Sequence, residues 1–153
     1  MFYVINHEIT NENAPTTFTF KGEGNRQIGE IVLCQTCRGN RLGRIVKIIE
    51  ETQVDFVPTA RICKLNAGRR RNALSAYDRA MLVYVETQDA EKALECFNGY
   101  SDKNQIMAFA YNVLDADNVS FKNQWGCTTV VLNYFGYYKD GAYYGNDLEY
   151  CFG

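Results

Sequence analysis

The stretch Ile28-Gly29-Glu30-Ile31-Val32-Leu33-Cys34-Gln35-Thr36-Cys37-Arg38-Gly39-Asn40-Arg41-Leu42-Gly43-Arg44-Ile45-Val46-Lys47-Ile48-Ile49 decides the reading of the fold. Two runs rich in β-branched and aliphatic residues, Ile28 to Thr36 and Leu42 to Ile49, flank Arg38-Gly39-Asn40, a turn that wants positive φ at Gly39 or Asn40. The pattern predicts an antiparallel hairpin. Towards the N-terminus, Phe2 to Ile9 reads as a strand that the turn cluster Asn11 to Pro15 ends, and Thr16 to Phe20 as a second, short one. Downstream, Pro58 opens a further strand candidate, Thr59 to Leu65. The front half is therefore expected to be β-rich, built of antiparallel hairpins that can close into a small barrel.

Beyond Leu65 the period changes. Asn66 to Asn72 reads as a basic loop, Ala73 to Arg79 as a helical turn, and Ala80-Met81-Leu82-Val83-Tyr84-Val85-Glu86 as an inner strand. Asp89 is a good N-cap for a helix with Ala93, Leu94 and Phe97 on one face, which Gly99 ends. Ser101 is expected to cap a second helix carrying Ile106, Phe109, Ala110, Val113 and Leu114 at helical spacing. Cys127 to Tyr134 and Tyr137 to Tyr144 read as two strands around Lys139-Asp140-Gly141, where Asp-Gly is a strong hairpin signal. The class is α+β: a β-rich N-terminal half, two central helices and a C-terminal β-hairpin. A length of 153 residues predicts a single domain, residues 1–153.

Apolar residues make up 46% and charged residues 22%, which excludes a disordered or fibrous chain. Apolar runs such as Thr129 to Leu132 fall far short of the ~20 residues that span a bilayer, so no membrane partner is expected. The N-terminal residues lack a basic region before an apolar one, so the expected compartment is the cytoplasm, where thiols stay reduced. The six cysteines are accordingly expected to be free.

The net charge of −2 conceals a partition. Residues 1–37 carry two basic groups against four acids, residues 38–79 ten against four, and residues 80–153 four against ten. The basic middle places Arg38 and Arg41 at the hairpin turn, Arg44 on the opposite strand face from Ile45 and Lys47, then Arg61 and the run Arg69-Arg70-Arg71. Guanidinium groups bind phosphate bidentately, and Lys and Arg drive sequence-independent nucleic-acid binding. The same charges also suit a solvated face or pairing with the acidic half. Gly29 to Leu33, followed by Arg38-Gly39 and Leu42 to Val46, resembles the β-hairpin of small barrel domains at the front of primosomal helicases. That resemblance implies a barrel that holds DNA ends.

Trp125, Tyr134, Phe135, Tyr137, Tyr138, Tyr143, Tyr144, Tyr150 and Phe152 crowd the acidic tail. Phosphate is repelled there, so the tail fits a protein partner or plain sheet packing better than base stacking. Cys34-Gln35-Thr36-Cys37 is one Cys-x-x-Cys without a second close pair, and in an extended segment its two cysteines face opposite ways. Catalysis lacks its usual parts. His7 is the only histidine, no phosphate-binding loop motif is present, and Gly22, Gly24 and Gly29 do not fit dinucleotide spacing.

The sequence thus leans against an enzyme and gives no catalytic residue, cofactor or metal ligand. The expected function is a binding module presenting Arg38, Arg41, Arg44, Arg61, Arg69, Arg70 and Arg71 to a nucleic acid or nucleotide. The alternative is a small inhibitor or adaptor of the phage accessory or anti-defence type, engaging a basic protein partner through Tyr143, Tyr144 and Asp147. Homo-oligomerisation by docking of basic on acidic surfaces is a third reading.

Overall fold

In the computed structural model, residues 1–50, 58, 60–65, 73–99, 102–124 and 126–152 are described, apart from the side chains of 124, 135–138, 143 and 144. Backbone contacts divide the chain into two compact units, Met1–Arg79 and Ala80–Gly153. The division coincides with the charge partition. Unit 1 holds twelve basic residues against eight acids, unit 2 four against ten.

Unit 1 is a closed five-stranded barrel of β1 (Phe2–Asn6), β2 (Phe18–Lys21), β3 (Ile31–Thr36), β4 (Gly39–Ile49) and β5 (Arg61–Lys64), in the order β1-β2-β5-β3-β4. The predicted hairpin is β3–β4, with Gly39 at φ 108° as its turn requires. Closure depends on the length of β4. Its first half pairs with β3, Ile31 opposite Arg44 to Thr36 opposite Gly39, and its second half pairs with β1, Asn6 opposite Arg44 to Phe2 opposite Ile49. A register shift between Val4 and Ile5 bends the ladder where β4 changes partner, the usual device for curling a sheet. The interior is filled by Tyr3, Ile5, Phe20, Val32, Cys34, Ile45 and Ile62. Gly43 sits where a Cβ would collide with Ile5 and stand 2.9 Å from the Cys34 sulfur, so only glycine lets β4 pass at that point.

Leu33 and Leu42 point to the other face of the β3–β4 ladder and are also buried. The first turn of α1 (Ala76–Thr87) returns to this region: Asp78 accepts the Leu42 N–H at 3.0 Å. The structure corrects the expected strand over Ala80 to Glu86, because these residues continue α1. Val83, Tyr84 and Val85 each forgo only a few tenths of a kcal/mol in a helix. The Ser75 hydroxyl accepting the Asp78 N–H at 3.1 Å caps the first turn and, with burial of Ala80, Met81 and Leu82, outweighs that cost.

In unit 2, α2 (Ala90–Leu94) runs into a 3-10 turn (Glu95–Phe97), and α3 (Lys103–Asn112) precedes an antiparallel sheet of β6 (Asn118–Gln124), β7 (Cys127–Lys139) and β8 (Ala142–Phe152). Asp89 caps α2 as expected, and Gly99 adopts φ 78° beyond it. Asp102 caps α3 through the N–H groups of Asn104 and Gln105; Ser101, the expected cap, lies outside the described residues. Asp140 and Gly141, at φ 54° and 81°, make the predicted two-residue hairpin turn. Phe97 and Phe109 meet at 5.3 Å, and Ile106, Phe109, Val130 and Leu132 are buried.

The expectation that all cysteines are free is corrected. Cys127 and Cys151 form a disulfide, whereas Cys34, Cys37, Cys63 and Cys96 are free. The pairing of Thr129 with Cys151 brings the two cysteines of neighbouring strands to a Cα separation of 6.3 Å. A second strand ending at Tyr144 would not have reached Cys151.

Candidate anion-binding surface

The short strand β5 organises the basic groups of unit 1. Arg61 stands opposite Gln35 on β3 and Lys21 on β2, and residues paired in this way share a face of the sheet. Arg61 and Gln35 are both exposed. With Glu23, Arg26, Ile62, Cys63 and Lys64 they line a surface pocket of 280 Å³. Three cationic side chains against one carboxylate make this pocket electropositive, with an amide able to donate or accept beside them. Arg26 is held by Glu30 at 3.6 Å. Among the described residues Arg61 has no ion-pair partner.

Arg38 is exposed at the β3–β4 turn, beyond the end of the strand that carries Gln35, and is likewise not ion-paired among the described residues. Its turn is braced: the Thr36 hydroxyl donates to the Gly39 carbonyl at 2.6 Å and accepts the Arg38 N–H at 3.2 Å. Arg41 is half-exposed, with Nε 3.5 Å from the Asp78 carboxylate. Arg44 is spent on architecture: Nε donates to the Ile9 carbonyl at 3.2 Å and Nη1 to that of Gly29 at 3.0 Å. Arg69, Arg70 and Arg71 lie outside the described residues. Arg26 and Lys64 were not singled out from sequence. Only the register of β5, which no local signal encodes, shows that they share a pocket with Arg61.

His7 follows β1 and is buried among Phe18, Phe20 and β4. Its Nδ1 lies 2.7 Å from the Leu42 carbonyl, which only accepts, so this nitrogen carries a proton. The backbone of one residue, Leu42, thus bridges His7 and Asp78, through its carbonyl and its N–H respectively. Burial, reinforced by the charge of Arg41, holds the imidazole below its ordinary 6.5 against the opposing effects of the Leu42 carbonyl and Asp78. Burial also pushes the Cys34 thiol up to about 12, so at neutral pH it is a protonated core group and no nucleophile. Cys37 is exposed in the turn, so the two cysteines of the Cys-x-x-Cys sequence do not converge.

In unit 2, Asp147 is exposed on β8 and accepts from the cross-strand Asn133 amide at 2.7 Å. Tyr143 and Tyr144 belong to β8, but their side chains, like Trp125 as a whole, lie outside what is described. Tyr150 is a packing residue, edge-on to Phe152 at 4.9 Å and with its hydroxyl 3.0 Å from Asn98 Oδ1. No helix among the described residues is long and apolar enough to cross a membrane. Comparison with protein-family models, curated proteins and solved structures gives no match to this chain.

Proposed function

We propose that the barrel unit is a non-enzymatic binding module for a phosphate-bearing ligand, a nucleic acid or a nucleotide. The observation that carries this reading is the shared lining of one exposed pocket by Arg26, Arg61 and Lys64. Arg38 extends the same basic character to the adjoining turn, Arg41 has a partly satisfied guanidinium, and Arg69 to Arg71 add charge on the segment that follows β5. Arg44 leaves the ligand set, because its guanidinium is committed to two backbone carbonyls. Guanidinium forks and an ammonium around a cavity of this size suit a phosphate group.

The test is polyanion binding as a function of salt. Inorganic polyphosphate and a labelled oligonucleotide should bind with an affinity that falls steeply as salt rises. The double substitution Arg61→Glu and Lys64→Glu should abolish binding while leaving the circular dichroism spectrum intact. Binding to neither probe at low salt rejects the reading.

The acidic character of unit 2 and the exposure of Asp147 favour a second reading, an inhibitor or adaptor covering a basic protein surface. That reading expects capture of a basic partner that is lost when Tyr143, Tyr144 and Asp147 are replaced together.

A further inference from the structure

The basic pocket contains one group that a phosphate alone would not call for. Glu23 is exposed on its wall, and among the described residues its carboxylate has no ion-pair partner. A carboxylate repels phosphate and so weakens a site built for that group alone. Yet the barrel holds this residue in place. The Lys21 N–H donates to the Ala60 carbonyl at 3.0 Å. The next residue, Gly22, runs so close to β5 that a Cβ there would stand 2.7 Å from Ile62 Cγ1. The Tyr3 hydroxyl, reaching from the core, then donates to the Glu23 carbonyl. Lys21 pairs in parallel with Arg61, so the chain carries Glu23 past Ile62 to the stretch of β5 that bears Cys63 and Lys64. Gln35 on β3 faces Arg61 from the other side of β5.

The pocket thus sets an acceptor, Glu23, beside the donors Arg26, Arg61 and Lys64. A ligand that satisfies both carries a phosphate and hydroxyl donors close together. Two adjacent hydroxyls match the two oxygens of one carboxylate, and an acidic side chain holds the ribose of dinucleotides through such a contact. Among the described residues no aromatic side chain lines the pocket, and Ile62 is its one aliphatic group. Its 280 Å³ lies just below the ~300 Å³ at which small-molecule sites usually begin. A base would find nothing there to stack on. We propose that the pocket takes a ribose phosphate, with Arg26, Arg61 and Lys64 on the phosphate and Glu23 on the 2′,3′-diol, so that it binds free ribonucleotides irrespective of base. This inference rests on the phosphate-binding reading and narrows its ligand from nucleic acid to the mononucleotide. Inside an RNA strand the 3′-oxygen is esterified and the diol is lost. A free sugar phosphate offers the same groups, and a direct comparison tells the two sources apart.

The experiment titrates adenosine and uridine 5′-monophosphates, their 2′,3′-dideoxy counterparts, ribose 5-phosphate, methyl phosphate, inorganic polyphosphate and a 3′-phosphorylated oligoribonucleotide into wild type, Glu23→Ala and Arg61→Ala. On wild type the two ribonucleotides should bind alike. Loss of the diol should weaken binding roughly 10- to 150-fold, the span for a hydrogen bond to a charged group. This comparison needs no variant, so it is independent of any effect on folding. Glu23→Ala should erase the preference for the diol and bind methyl phosphate more tightly than wild type does. Arg61→Ala should weaken every probe and keep the preference. Ribose 5-phosphate matching the nucleotides would make the sugar phosphate sufficient, and tighter binding of both nucleotides by the same factor would assign the site to nucleotides. Equal binding of the ribo and dideoxy forms to wild type overturns the proposal, as does a preference that survives in Glu23→Ala or a large difference between the two bases. Binding of the oligoribonucleotide without the mononucleotides also overturns it and leaves the phosphate-binding reading standing. If no probe binds wild type, polyphosphate included, that reading itself fails.

Discussion

The carboxylate of Asp78, 1% exposed at the start of a helix, accepts the buried backbone N–H of Leu42 in the middle of β4 at 3.0 Å. Thirty-six residues of chain separate the partners. The contact ties the exit from the barrel back onto its longest strand, and Arg41 at 3.5 Å offsets the buried charge.

Replacing Asp78 with Ala leaves the Leu42 N–H without its acceptor, which costs about 1–3 kcal/mol. Asp78→Asn keeps an acceptor oxygen and should lose less. Urea unfolding of the three proteins checks the order; an Ala variant as stable as wild type would mean that the contact is idle.

His7 makes barrel stability depend on pH. Its folded-state pKa lies below 6.5, so the unfolded chain binds the proton more readily. The contribution of neutral His7 is complete above pH ~6.5 and declines as the pH falls below that value towards the folded-state pKa. Wild type should therefore lose more stability between pH about 7.5 and about 5.5 than His7→Gln. Equal losses measured by urea midpoint would show that His7 titrates as if in water.

Arg44 and Arg61 should separate structure from binding. Arg44→Ala frees the carbonyls of Ile9 and Gly29 and should lower stability by ~1–3 kcal/mol, with little change in polyanion affinity beyond that of one lost charge. Arg61→Ala should do the reverse, because its exposed guanidinium is not ion-paired among the described residues. Paired unfolding and binding curves decide it.

The Cys127–Cys151 bond should be countable and removable. Of six cysteines, the four named free ones should react with a thiol reagent in denatured, unreduced protein, and all six after reduction. Cys127→Ser with Cys151→Ser should lower the stability of the β6–β8 unit by about 2–4 kcal/mol, as expected for a cross-link between positions 24 residues apart. Six reactive thiols before reduction would contradict the disulfide.

Much of the fold was legible because its signals are local. Gly39 marks the β3–β4 turn, Asp140-Gly141 the β7–β8 turn, and Asp89 and Gly99 bracket α2, each by backbone conformation within a few residues. The segment Ala80 to Glu86 misled, since its Val and Tyr content favours a strand while its fate was set upstream by Ser75 and by burial. Strand β6 was not foreseen; it is held by the ladder with β7, Asn118 opposite Asn133 to Gln124 opposite Cys127.

Composition and periodicity carry the α+β class and the separation of charge at residues 79 and 80 directly. Which cations meet was decided only by tertiary structure. Arg61 joins Arg26 and Lys64 in one pocket, Arg41 turns to Asp78, and Arg44 is consumed by two carbonyls. The reason is that strand register and barrel closure bring together residues distant in the chain. Pairing of that kind depends on the whole core packing at once, and no short stretch of residues encodes it.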